Sequence, residues 1–228
     1  MGLERGRFLE LLREENEPLW QRIYAHPFIR ELEEGTLPQE SLAVYIKQDY
    51  IYLIEFARCC SYAAARTDDL TMVRGFTMLA NQTVEIDLPF HRRLAEALGI
   101  KERELDEARP TPTSFAYTNF LFRVATTGTP GEVAASLTPC LWTYLDMGKR
   151  LGSGLRKRIM DTTGDVGWWD AHPAQDYQRI VQTAKDTISR AALTASQPEL
   201  ERMRECFRLG GEYEYMFWDM AYKRERPI

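Results

Sequence analysis

Apolar residues recur every three to four positions along almost the whole of this 228-residue chain, and Val, Ile and Thr never gather into alternating runs. That periodicity is the signature of amphipathic helices, so the chain is expected to fold as a helical bundle without a sheet. Helices are predicted over about 5–24, 38–66, 71–98, 112–127, 130–152, 172–194 and 197–224. Pro38 is expected at a first helical position, and "TPGE" at 129–132 reads as a capping box in which Glu132 reaches back to Thr129. The breaks fall at "GTLP", "TTGTPG" and "TTGDVG". No repeat or low-complexity linker interrupts the pattern, which implies one all-α domain over 1–228.

Two prolines lie inside helical stretches, Pro89 in "EIDLPFHRRLAEALG" and Pro139 in "SLTPCLWTYLDMG". Each removes one i→i−4 hydrogen bond and is expected to bend its helix; at Pro139 the freed carbonyl is that of Ala135. A bend beside Cys140 can open a space in a packed bundle, or can simply wrap the helix around a core.

Composition narrows the function. A net charge of −5 leaves no basic surface for phosphates, so nucleic acid is not expected as a partner. No apolar run reaches the roughly 18–20 residues of a membrane span, and the charged N-terminal stretch lacks a signal-peptide core. The cysteines at 59, 60, 140 and 206 form no C-x-x-C pair, which fits a reducing cytoplasm. Glu-x-x-His pairs of a di-iron bundle are absent around His26, His91 and His172, so no metal is expected. Gly-rich phosphate loops and G-x-S-x-G elbows are missing too.

Three helical faces place a reactive side chain among aromatics. In "YIKQDYIYLIEFAR" residues Tyr45, Asp49, Tyr52, Leu53 and Phe56 share one face. Asp49 is either a buried structural partner of a backbone group or arginine, or a ligand-binding carboxylate. In "GGEYEYMFWDMAY" Glu214 shares a stripe with Phe217, Trp218 and Ala221. It is either a helix-edge glutamate or, desolvated, a general acid working near neutral pH. Cys140 and Tyr144 are i, i+4 neighbours; a lone cysteine is a small hydrophobe unless a neighbour favours its thiolate.

Taken together and in order, "HPFIRELEEGTLPQESLAVYIKQDYIYL", "FAYTNFLFRVATTG", "LTPCLWTYLDMG" and "YEYMFWDMAY" resemble the TenA/thiaminase II family over almost the whole chain. The resemblance implies a haem oxygenase-like all-α fold without haem, no cofactor, a homotetramer, and a cytoplasmic hydrolase of thiamin salvage acting on a small pyrimidine. By motif, Cys140 resembles the nucleophile and Glu214 the acid/base residue. Asp49 resembles the anchor of the aminopyrimidine ring. Tyr52, Tyr117 and Tyr144 resemble pocket tyrosines, and Phe217 a pocket wall. The leaving group, thiazole or ammonia, stays open. A redox enzyme or a regulatory protein of the same fold are the rival readings. The chain departs from the family in "TTGDVGWWDAHPAQDY", where a tyrosine-rich segment is expected; Trp168 or Trp169 corresponds to its tryptophan, but neither tyrosine has a clean counterpart.

Overall fold

A computed structural model describes residues 7–163 and 175–228 of the chain, and all regular structure among them is helical. In order the helices are α1 (Phe8–Glu15), α2 (Glu17–Tyr24), α3 (Pro27–Glu34), α4 (Gln39–Ala65) and α5 (Leu70–Gln82). A π-helical turn (Thr83–Asp87) then leads into α6 (Leu88–Ala97), α7 (Glu102–Asp106), α8 (Pro112–Thr127), α9 (Pro130–Thr163), α10 (Gln175–Thr194) and α11 (Gln197–Lys223). Trp168 and Trp169 lie outside the described residues.

Helix starts follow local chemistry. Thr111 Oγ1 accepts from Ser114 N ahead of Pro112, Ser196 Oγ accepts from Glu199 N ahead of Pro198, and Asp69 Oδ1 accepts from Thr71 N. Each satisfies an amide that the first turn leaves unpaired. At 129–132 Thr129 Oγ1 accepts from Glu132 N at 3.3 Å, while the Glu132 carboxylate takes Arg202 of α11 at 2.7 Å. Pro38 precedes the first turn of α4 as its cap residue.

The expected helix over 5–24 is two helices. Asn16 turns its side-chain amide back onto Leu12 O, and Pro18 has no amide hydrogen to continue the ladder. The short α3 was hidden in the reading of 25–37 as connection, although Pro27 opens it and Gly35, at φ 72°, closes it. Within 71–98 the helix widens at Thr83–Asp87, where Leu88 N–H bonds Thr83 O, immediately before Pro89. A widened turn makes room for a ring that has no hydrogen to donate.

The core is a column of stacked rings. Trp20 stacks on Phe207 at 5.5 Å and Tyr45 on Trp218 at 5.0 Å, with Phe28 against both Tyr45 and Trp218. Helix α11 lies close to α9 and α2 because it carries Gly210 and Gly211. A Cβ on Gly210 would sit 2.6 Å from Ser136 O, and one on Gly211 2.8 Å from Leu19 Cδ2. This approach brings Glu214, one turn further on, beneath the middle of α9.

Candidate active site

Helices α4, α5, α6, α9 and α10, with the π-turn, line a partly open cavity of about 460 Å³, a volume that suits a small ring compound. Asp49 (α4), Cys140 and Tyr144 (α9) line it, as the shared faces of their helices predicted. Cys140 directly follows Pro139, and the hydroxyls of Thr138 and Thr143 bond the neighbouring helix carbonyls, Ala134 O at 2.7 Å and Pro139 O at 2.9 Å. Cys140 is half-buried and forms part of the cavity wall.

Tyr52, Tyr117, Glu214 and Phe217 occupy the next layer, all buried, beneath the cavity surface. Phe217 packs between Tyr45, Tyr52 and Tyr117, with ring centroids 6.0 to 6.4 Å apart. The layer is wired. The Tyr52 hydroxyl donates to Tyr117 Oη at 3.3 Å, and Tyr117 donates to Glu214 Oε1 at 2.7 Å. A second pair, Tyr45 and Tyr144, shares a hydrogen at 2.7 Å across α4 and α9.

Electrostatics follow from burial. Burial pushes the Cys140 thiol well above its ordinary range, and the negative charge of Glu214 adds to this; the Tyr52 hydroxyl works the other way by favouring the thiolate. Burial lifts Glu214 to about 8, against the hydrogen bond from Tyr117, which favours its ionised form. A thiol that resists ionisation thus stands over two hydrogen-bonded phenols that lead to a carboxyl group exchanging its proton near neutrality.

The cavity also holds residues the sequence reading did not assign to it. His91 and Asp87 form part of its wall, with Gln82 Nε2 donating to Asp87 Oδ1 at 3.1 Å. The only sequence signal was the i, i+4 spacing of Asp87 and His91. Burial raises Asp87 to about 6. Tyr177, the last residue of the segment that departs from the family pattern, is buried on α10, lines the cavity and donates to Leu141 O at 3.3 Å. Among the described residues no group of three or more His, Cys, Asp or Glu side chains is arranged to hold a metal. Nor, among them, is any helix long and apolar enough to cross a membrane.

A family model described as the TENA/THI-4/PQQC family matches residues 13–224. An aminopyrimidine aminohydrolase of Bacillus subtilis is 31% identical over 96% of this chain and 91% of its own. A solved structure of a TenA family transcription regulator from a Silicibacter species superposes with a TM-score of 0.85 at 29% identity, covering 97% of this chain and 99% of the other. The haem oxygenase of Leptospira interrogans shares the fold, with a TM-score of 0.63 at 16% identity over 96% of this chain and 98% of that one.

Proposed function

The chain belongs to the TENA/THI-4/PQQC family, and we propose that it is a hydrolase of thiamin salvage, releasing 4-amino-5-hydroxymethyl-2-methylpyrimidine from thiamin or from its aminomethyl-pyrimidine breakdown product. What supports the cysteine-based chemistry is the cavity that presents both Cys140 and Asp49, with Tyr52, Tyr117 and Glu214 hydrogen-bonded in line in the layer beneath it.

Each residue has a part that its surroundings support. The Cys140 hydrogen passes to Tyr52, that of Tyr52 to Tyr117, and that of Tyr117 to Glu214 Oε1. Glu214, buried in the layer beneath the cavity, takes that hydrogen in its ionised form and holds it as a neutral carboxylic acid until the thiolate recovers it. The thiolate forms a C–S bond to a ring carbon, which makes the ring electron-rich. The ring then expels the leaving group from the exocyclic methylene, as neutral thiazole from the thiazolium of thiamin or as ammonia from the protonated aminomethyl group, and the C–N electron pair leaves with it. Water adds to the methylene, the C–S bond breaks, and the thiolate regains its hydrogen along the same line. Dividing one difficult substitution among easier steps is the gain of covalent catalysis. Asp49 holds the amidine edge of the pyrimidine, where a carboxylate makes paired, charge-assisted bonds. Tyr144, hydrogen-bonded to Tyr45, offers a ring face to the substrate.

The enzyme acts in the cytoplasm as a homotetramer. Tyr62 and Phe122 touch at 6.0 Å while about half exposed, with Phe115 also exposed on α8, which supports a face covered by another copy. Light scattering on the eluted protein reports the mass; a monomer removes this part of the reading.

The deciding assay supplies thiamin and 4-amino-5-aminomethyl-2-methylpyrimidine separately and follows the hydroxymethyl product. Cys140→Ala is expected to lower turnover by at least about a thousandfold while keeping the thermal stability of the parent. Failure of the parent to turn over either compound would remove the proposed activity.

A further inference from the structure

Helix α6 contributes one side chain to the cavity whose position the reaction scheme leaves unexplained. His91 is buried at 4% exposure, with Phe90 edge-on to its ring. Its Nδ1 lies 2.9 Å from the backbone carbonyl of Asp87, so this nitrogen bears a hydrogen and donates it. Its Nε2 lies 2.5 Å from Asp49 Oδ2 as an ion-pair contact and makes no hydrogen bond within the usual angular limits among the described residues. A bare nitrogen lone pair so near a carboxylate oxygen would be repelled. One hydrogen must lie between them, and with Nδ1 already occupied the arrangement is an imidazolium against a carboxylate, or an imidazole against a carboxylic acid.

We propose that His91 is the positioning residue of Asp49, fixing through Nε2 which carboxylate oxygen is engaged and how the other is presented to the pyrimidine in the cavity. The inference rests on the proposed function and deepens it. The π-turn is part of the device. It delivers the Asp87 carbonyl to Nδ1, which fixes the ring's tautomer and aims Nε2 at α4. The titratable groups facing the imidazole across the cavity are Asp49 from α4, Asp87 from the π-turn, Cys140 and Tyr144 from α9 and Tyr177 from α10, with Arg93 on its own helix. Asp176 and Arg179, also on α10, pair with each other at 3.0 Å. Burial lowers the imidazole's proton affinity, while the Asp49 charge, its hydrogen bond and the Asp87 contacts outweigh this and raise it overall.

Two variants separate positioning from mere filling. The amide of His91→Gln can reach Asp49 in place of Nε2; that of His91→Asn can reach the Asp87 carbonyl in place of Nδ1 but leaves Asp49 alone. Because Asp49 grips the ring in both ground and transition states, its loss of orientation is expected in KM. His91→Asn should raise KM by about tenfold or more, the worth of a charge-assisted hydrogen bond, with a smaller change in kcat. His91→Gln should restore most of that loss. Nitrogen-detected NMR supplies a readout independent of turnover, since the chain has only three histidines to assign. The His91 ring should stay protonated above its ordinary range, and Asp49→Asn should bring its titration back down. Equal loss of thermal stability in both variants with KM unchanged would overturn the proposal, as would a His91 ring that titrates like a free side chain. If the parent turns over no aminopyrimidine, the proposed function falls while the NMR titration still tests the pair.

Discussion

Tyr117 donates its phenolic hydrogen to Glu214 Oε1 over 2.7 Å, and both side chains are shut away from solvent. This single bond ties α8 to α11 beneath the cysteine of α9 and makes a carboxyl group part of the core. Burial dominates Glu214, holding it near 8 against an ordinary 4.5. In the window between those values the folded chain keeps a proton that the unfolded chain has released. Stability conferred by Glu214 is therefore complete below about pH 4.5 and is lost as pH rises towards about 8.

Glu214→Gln removes that ionisation. Its urea midpoint should change less than the parent's between about pH 5 and about pH 9, and fall above the parent's trend at the alkaline end. Turnover should drop by about a hundredfold or more, the usual worth of a general acid. Tyr117→Phe cuts the line without touching the carboxyl group, and should also slow turnover. A variant whose stability follows the parent's pH dependence unchanged would show that Glu214 is not the buried acid.

How far the chain could be read from sequence depends on whether the cause of each feature is local. The helix over 112–127 is found at those bounds, but the two start signals read were only near misses: Pro38 is the cap residue of α4, and the Glu132 carboxylate goes to Arg202 rather than back to Thr129. Asp49, Cys140 and Tyr144 reach the cavity because helical spacing alone puts them on inward faces. The π-turn was invisible, since Pro89 fits a bend or a widened turn equally well. The partnership of His91 with Asp49 was invisible for another reason: α4 and α6 are brought together only by the packing of the bundle. Tyr52 was legible as inward-facing and Tyr117 only through the family resemblance, but their order in a hydrogen-bonded line to Glu214 depends on three helices at once.

Tyr177, with Asp176, is contributed to the cavity by the segment where the family pattern breaks down. Its hydroxyl donates to Leu141 O, the residue after the cysteine, so it braces α9 against α10 as well as closing the cavity. Tyr177→Phe keeps the ring and loses that bond, and should cost about 1 kcal/mol of stability with KM little changed. Tyr177→Ala removes the ring and enlarges the cavity, at about 3–5 kcal/mol for a large buried aromatic, and should raise KM for the pyrimidine. Denaturant midpoints and steady-state kinetics on the pair distinguish bracing from shape; equal KM values for the two variants would assign Tyr177 to bracing alone.

Gly210 tests how tightly the reactive layer is built. Alanine is favoured over glycine in a helix interior by about 1 kcal/mol, so a bare propensity argument predicts that Gly210→Ala stabilises α11. The structure predicts the opposite, because the new Cβ would meet the Ser136 carbonyl at 2.6 Å and the Pro139 ring at 3.1 Å. Neither obstacle is a flexible side-chain end, so α9 and α11 must separate, at a net cost of about 1–3 kcal/mol. Gly75 is the control: its Cβ would also lie at 2.6 Å, but from the Thr187 hydroxyl, a side-chain atom that can yield at the cost of its bond to Thr183 O. Thermal denaturation should therefore show Gly75→Ala near or above the parent and Gly210→Ala below it by roughly 2–4 °C per kcal/mol lost. The displaced segment ends at Cys140, so turnover by Gly210→Ala should fall further than its stability alone explains, because it lengthens the line from the sulfur to Glu214. Equal melting points for the two variants would mean that α11 has slack against α9, and that the line survives without so close an approach.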